Sequence, residues 1–274
     1  MALSVSTNVG ALYASSAASK INIEQDVAMQ RLATGNRINT SKDDPAGIAI
    51  ASRLTAEYRG LDMAIRNASD AQALINTAEG AYTEVTALLQ RARELSVQGA
   101  SDTNGTNDRT ALRTEIAQLM TEVDNIANNT KFAGTALLDS AYTFTFQIGS
   151  TSAELTVTMT DTNLAVMQTA LATTTGLTSH AAFQSFIGEI DTALADVGTA
   201  RGKLGAYSNR LDSVVRNLTN NSNAIKEGVG RIQDADFAAE TTNLSKTQIL
   251  QQAATAMLAQ ANAAKQGVLA LLQG

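Results

Sequence analysis

Apolar residues along most of this chain recur at steps of three and four. Such spacing predicts helices with one sticky face, not strands. From Ile50 they run through Leu54, Tyr58, Leu61, Ile65, Ala68, Ile75, Tyr82, Val85, Leu89, Ala92 and Leu95. This heptad-like seam predicts one helix from Pro45 to about Gln98, far longer than an average globular helix. Pro45, the single proline, stands in Asp43-Asp44-Pro45-Ala46. There Asp44 reads as the N-cap and Pro45 as the first helical position.

A Gly/Asn/Ser/Thr-rich stretch, Gly99 to Asp108, predicts a reversing loop. A second helix follows, carrying Leu112, Ile116, Leu119, Met120, Val123 and Ile126 on one side and stopping near Asn128-Asn129. Gly134 opens another turn. The period then changes to two: Tyr142, Phe144, Phe146 and Ile148 alternate with polar residues, as do Leu155, Val157 and Met159. With Gly149-Ser150-Thr151-Ser152 between them, the two runs predict a β-hairpin over about 141–160. Residues 161–180 are rich in Thr, Ala and Ser and predict a surface connection, with a short helix around Leu164 to Leu171.

Helical spacing returns from about Ala181 and continues through Phe186, Ile190, Leu194, Val197, Leu204, Leu211, Val214, Leu218, Ile225 and Ile232. Gly198, Gly202 and Gly205 fall inside it, each costing roughly 1 kcal/mol against Ala, so packing against a partner must support the stretch. The last segment, Leu244 to Leu272, and the first 40 residues resemble each other: Ala-rich, helical in spacing and poor in charge. Each has little to bury against alone, which makes both candidates for folding on association.

Composition narrows the function. The chain has 274 residues, 44% of them hydrophobic but only 4% aromatic, so its seams must be built from Ala, Leu, Ile and Val. The net charge of −6, without a dense Lys/Arg cluster, argues against nucleic-acid binding. With no cysteine, disulfides, thiolate metal sites and cysteine nucleophiles are excluded. No apolar run reaches the length of a membrane span, and the first residues do not have the pattern of a cleavable secretory signal.

Candidate chemistry is thin. His180 is the only histidine and falls beside Gly176, Thr178 and Ser179, so it reads as a solvated loop residue and not as a catalytic base. The pairs Asp43/Asp44 and Asp234/Asp236 read as helix caps, since neither has enough further oxygen donors nearby for calcium. Neither a catalytic constellation nor a cofactor or metal site is predicted. The sequons Asn104-Gly105-Thr106 and Asn217-Leu218-Thr219 read as accidental, while the Ser and Thr of 140–180 are the better-placed candidates for O-linked glycans.

Several longer motifs resemble those of bacterial flagellins. Arg31-Leu-Ala-Thr-Gly-Asn-Arg-Ile-Asn-Thr-Ser-Lys-Asp-Asp-Pro-Ala-Gly47 is similar to the junction segment after the N-terminal helix of that family. Leu89-Gln-Arg-Ala-Arg-Glu-Leu-Ser-Val-Gln98 resembles its first core-domain helix, and Lys131-Phe-Ala-Gly134 the turn closing its N-terminal region. Near the other end, Arg231-Ile-Gln-Asp-Ala-Asp-Phe-Ala-Ala-Glu240, Gln248-Ile-Leu-Gln-Gln-Ala253 and Leu258-Ala-Gln-Ala-Asn262 match in the same order. A hook-junction protein shares the terminal coiled-coil logic; the local motifs favour flagellin.

The resemblance implies a mainly α fold: a long helical rod or coiled coil formed by both termini, antiparallel core helices and one small β-hairpin. The implied domains are 1–42 with 233–274 as an inner terminal coiled coil, and 43–232 as a helical core, a minimal form without outer domains. It further implies an extracellular filament subunit that polymerises with itself for swimming motility. The implied partners are the flagellar type III export apparatus, a cytoplasmic chaperone, the filament cap, hook-junction proteins and an innate immune receptor. The subunit- or receptor-facing positions are Gln90, Arg91, Glu94, Leu95, Gln98, Leu112 and Glu115. The terminal assembly or chaperone segment is Leu244, Ile249, Leu250, Met257, Leu258, Val268 and Leu271, and the junction is Arg37, Asn39, Asp43, Asp44 and Pro45.

Overall fold

The computed structural model describes residues 7–138, 143–149, 151, 153–158 and 172–273, with the backbone path alone for 265–273. Five α-helices make up most of it: α1 (Val9–Thr34), α2 (Pro45–Gly99), α3 (Thr106–Asn129), α4 (His180–Gln233) and α5 (Phe237–Gln273). Four short strands lie between α3 and α4: β1 (Lys131–Phe132), β2 (Thr135–Ala136), β3 (Thr143–Gln147) and β4 (Glu154–Thr158). The chain divides into two compact units, one of residues 1–56 and 224–274 and the other of 57–223. These divisions fall within α2 and α4, while the boundaries suggested by sequence lie at helix ends.

The 57–223 unit is an antiparallel three-helix core with a hairpin on it. The antiparallel order of α2 and α4 is marked by Arg93 Nε to Asp191 Oδ1 at 2.6 Å, Arg201 Nε to Glu79 Oε1 at 2.8 Å and Ser222 Oγ to Asp62 Oδ1 at 2.7 Å. Arg91 Nη2 to Glu115 Oε1 at 3.0 Å does the same for α2 and α3. The buried line of α2 runs Leu61, Ala64, Ala68, Ala71, Ile75, Ala78, Tyr82, Val85, Leu89, Ala92, alternating steps of three and four. Half of that line is alanine, which lets backbones approach closely where larger side chains would hold them apart. Phe183, Phe186, Ile190 and Leu211 of α4 and Ile116, Met120 and Val123 of α3 fill the space that the alanines leave.

The predicted hairpin is present, with β3 and β4 antiparallel and Phe144 opposite Val157, Phe146 opposite Leu155. Leu155 and Val157 are buried while Glu154, Thr156 and Thr158 are exposed, the alternation of a half-buried strand. Asn67 Nδ2 ties α2 to the hairpin by donating to the Gln147 carbonyl at 2.9 Å. Tyr142, Met159 and the short helix expected at Leu164 to Leu171 lie outside the described residues.

Two expectations need correction. Residues 161–180 are not all surface: a 3-10 turn over Thr174–Gly176 buries Thr174, and Leu177 is fully buried, because both close the core beside α3. His180 is the first residue of α4 and not a loop residue; it is half-buried, with a ring nitrogen against the Ala100 carbonyl. The glycine-containing stretch of α4 is packed into the core through Val197, Ala200 and Leu204, as expected, while Gly198, Gly202 and Gly205 lie on its exposed side, where an added Cβ would meet nothing. The turn at Gly134 is itself a small hairpin: β1 and β2 pair, and positive φ at Ala133 (49°) and Gly134 (84°) makes the two-residue turn. Two-residue strands are too short for periodicity to reveal.

Candidate assembly surface

The terminal unit is dominated by α1 and α5, which pack antiparallel. Asn8 Nδ2 donates to the Ala261 carbonyl at 3.1 Å near one end, and Arg31 Nη1 to Glu240 Oε1 at 2.8 Å near the other. Each helix has its own start signal. The Asn8 side chain accepts from Ala11 N, and Asp236 Oδ1 accepts from Ala238 N at 2.9 Å and Ala239 N at 3.2 Å. Gly35, at φ 72°, ends α1 with its N–H donated to the Arg31 carbonyl, a left-handed stop suited to glycine.

The seam between the two helices is built from small and polar residues. Among the described side chains, the less exposed positions on α1 are Ala11, Ala14, Ala18, Ile21, Gln25, Ala28 and Leu32, with Val27 and Arg31 flanking them; on α5 they are Glu240, Leu244, Thr247, Gln251, Ala254, Leu258 and Ala261. Both sets follow heptad spacing, and their large apolar side chains are few: Ile21, Leu32, Leu244 and Leu258, with Val27 beside them. A cleft of about 300 Å³, lined by Ile23, Val27, Arg31, Glu240, Lys246 and Thr247, remains beside the ion pair.

The large apolar side chains point elsewhere. Among the described residues twelve large hydrophobics are exposed, and nine of them lie on this pair: Val9, Leu12, Tyr13, Ile23 and Met29 on α1, and Phe237, Ile249, Leu250 and Met257 on α5. Tyr13 is 75% exposed and Ile249 67%. Scattered apolar residues on a surface are ordinary, but a concentration on one helix pair marks an interaction surface. Of the expected terminal segment, Leu244 and Leu258 therefore face the seam, whereas Ile249, Leu250 and Met257 face outward. The side chains of Val268 and Leu271 lie outside the described ones.

The junction residues form a tight connection from α1 to α2. Arg37 donates from its backbone N to the Gln233 carbonyl at 2.7 Å and from Nη2 to the Ile232 carbonyl at 2.8 Å, tying the segment to the end of α4. Asn39 Nδ2 donates to Thr34 Oγ1 at 2.7 Å. Asp43 Oδ2 accepts from the backbone N–H of Thr40 and of Asn39, and these hydrogen bonds, that from Thr40 first, hold its carboxyl below the usual aspartate range. Asp44 Oδ1 accepts from Gly47 N at 2.9 Å, the cap ahead of Pro45.

On the core helices, Gln90, Arg91, Glu94, Gln98 and Glu115 are exposed, and Arg91 bridges Glu94 at 3.2 Å and Glu115 at 3.0 Å. Leu112 is half-buried against the core. Leu95, expected on this outward surface, is instead buried at 3% exposure because it continues the three-helix packing one turn past Ala92. The outward ridge also includes Arg93 paired with Asp191, a link missed by sequence reading because the partners lie 98 residues apart. Its hydrogen bond lowers the Asp191 pKa.

Similarity to known proteins follows this layout. Residues 5–143 match the family model of the bacterial flagellin N-terminal helical region, and residues 187–272 that of the C-terminal helical region. The chain is 44% identical to a flagellin of Halalkalibacterium halodurans over 256 residues, covering 92% of this chain and 94% of that one. It is 35% identical to a flagellin of Bacillus subtilis over 304 aligned positions, covering 98% and 99%. A solved chain described as a flagellar hook-associated protein from Vibrio parahaemolyticus has a TM-score of 0.63 at 16% identity, covering 70% of this chain and 100% of that one, a likeness of fold alone. Both helical regions are matched in order on either side of the hairpin, and the chain therefore belongs to the bacterial flagellins, structural and not enzymatic subunits of the extracellular flagellar filament.

Proposed function

We propose that the outward apolar surface of α1 and α5 forms the main contact between subunits in the filament. The observation that supports this reading is the distribution of side chains in the terminal pair: a seam in which alanine and polar residues outnumber large apolar ones, and Leu12, Tyr13, Ile23, Ile249 and Met257 outside it. A two-helix pair with so thin a seam gains too little from its own packing to offset ordering of both segments. Neighbouring copies supply the missing burial. At about 25 cal/mol per Å² of apolar area, a few hundred Å² per neighbour contributes several kcal/mol. Repeated through a heterologous, non-closing contact, the same surface generates a helical polymer.

The partners implied by flagellin likeness fit the same segments. A cytoplasmic chaperone holding α5 before type III export would cover Ile249, Leu250 and Met257 until assembly. The hook-junction and cap proteins would meet the same terminal pair at the filament ends. The ridge of Gln90, Arg91, Glu94, Gln98 and Glu115 is polar and exposed, suited to a second subunit or to an innate immune receptor.

Seeded elongation tests the reading. Ile23→Asn and Ile249→Asn, alone and together, should leave thermal unfolding of the 57–223 unit unchanged and raise the critical concentration on filament seeds by about tenfold per site, as expected for losing ~1.5 kcal/mol or more of burial. Unchanged elongation of the double variant sinks it. Arg91→Glu in the same assay separates the two uses of the ridge: a subunit contact slows elongation, whereas a receptor contact leaves elongation intact and lowers receptor signalling.

A further inference from the structure

We propose that the thioethers of Met29 and Met257 are oxidation sites through which hydrogen peroxide blocks addition of the subunit to a filament; this rests on α1 and α5 being the assembly contact. The chain has no cysteine, so methionine carries all of its sulfur. The four methionines with described side chains differ sharply in access. Met257 is 65% exposed, Met29 49% and Met63 48%, while Met120 is 1% exposed inside the core.

Exposure alone does not separate Met29 from Met63; their places do, since Met29 and Met257 lie on the outward apolar surface of α1 and α5 and Met63 does not. In the reaction the thioether sulfur attacks one peroxide oxygen, the O–O bond breaks, and a sulfur–oxygen bond forms. Sulfur is oxidised by two electrons and the peroxide is reduced to water, with the protons of hydrogen peroxide leaving in that water.

The product changes what the surface can do. A sulfoxide oxygen is a strong acceptor on a side chain that was apolar, and it disrupts methionine-containing interfaces. Met29 and Met257 belong to the outward apolar set of α1 and α5, and an acceptor buried in an apolar contact without a donor costs free energy. Met63 lies in the other compact unit, outside that set. Among the described methionines, Met29 and Met257 are therefore the two whose oxidation alters the surface on which assembly depends. Once assembled, the same contact would shield the two sulfurs.

The test uses the full chain exposed to hydrogen peroxide, quenched with catalase, mapped by peptide mass spectrometry and then added to filament seeds. Among these four, sulfoxide should accumulate first at Met257, next at Met29 and Met63, and last at Met120. Subunits oxidised at both terminal sites should show a critical concentration raised at least about tenfold, the scale set by one unmatched buried acceptor. The Met29→Leu/Met257→Leu variant, a volume-conserving change, should elongate after the same dose. Methionine sulfoxide reductases A and B should restore oxidised wild-type subunits.

Complete sulfoxide formation at both sites with normal elongation overturns the proposal, as does equal inhibition of the leucine variant. Should that variant fail to elongate untreated, the reductase arm decides: recovery supports the proposal and lack of recovery after reduction overturns it. Peroxide mapping of finished filaments separates this inference from the assembly reading. Met257 reacting as fast in filaments as in free subunits overturns the buried contact itself, whatever oxidation does to elongation.

Discussion

Asp43 and Asp44 are neighbours with different tasks, and the difference shows how far residue-scale reading reaches. Asp44 before Pro45 is legible as a cap from sequence, and its Oδ1 does accept the Gly47 N–H. Asp43 is not legible in that way, because its partners are the Asn39 and Thr40 backbone amides, brought to it by a turn with no periodic signature. Its folded pKa is lowered, first by the Thr40 amide and then by the Asn39 amide. A depressed carboxylate contributes stability that is fully present above the unfolded value, near 3.8, and is lost as pH falls through the lower folded value. Carbon-13 NMR of the side-chain carboxyls should therefore find Asp43 titrating below 3.8. Amide exchange at Thr40 should quicken over the same acidic window, and in Asp43→Asn it should be fast throughout; titration of Asp43 at or above the ordinary value contradicts this.

At the scale of elements, the steps of three and four foretold both long helices to within a residue or two at their outer ends, because every seam position in α2 and α4 is consistent with one period. Periodicity could not tell which apolar residues face a partner inside the subunit and which face outward. Leu250 stands four residues before Ala254 and eight before Leu258, a helical spacing, yet Leu250 is exposed while the other two are in the seam. Glycines show the same gap between pattern and environment. A Cβ on Gly202 or Gly205 meets open space, so Gly202→Ala and Gly205→Ala should each stabilise α4 by about 0.5–1 kcal/mol through helix propensity. A Cβ on Gly99, the last residue of α2, would sit on the Phe183 ring, which is fully buried. Gly99→Ala should cost about 1–3 kcal/mol by overpacking. Thermal denaturation of the three variants checks the opposite signs, and a stabilised Gly99→Ala would show that the α2–α4 contact is looser than described.

At the scale of the whole molecule the charge is unevenly shared. Residues 57–223 hold eleven basic and eighteen acidic side chains, a net charge of −7, whereas residues 1–56 with 224–274 hold nine and eight, a net of +1. A polymer whose contacts lie in the terminal unit gathers nearly neutral surfaces but also concentrates many −7 units. The first effect is insensitive to salt; the second is repulsive and screened, as the Debye length shortens from about 30 Å at 0.01 M to about 8 Å at 0.15 M. The critical concentration for seeded elongation should therefore fall as sodium chloride rises over that range. Charge-neutralising changes at Glu84→Gln and Glu122→Gln, exposed acids of the −7 unit, should flatten the dependence without altering the high-salt limit. Ion pairs between subunits would give the reverse slope, since salt weakens attraction between exposed charges as well as repulsion. The sign of that slope, read by sedimentation of polymer at fixed subunit concentration, therefore distinguishes apolar terminal contacts from charge-paired core contacts as the force that builds the filament.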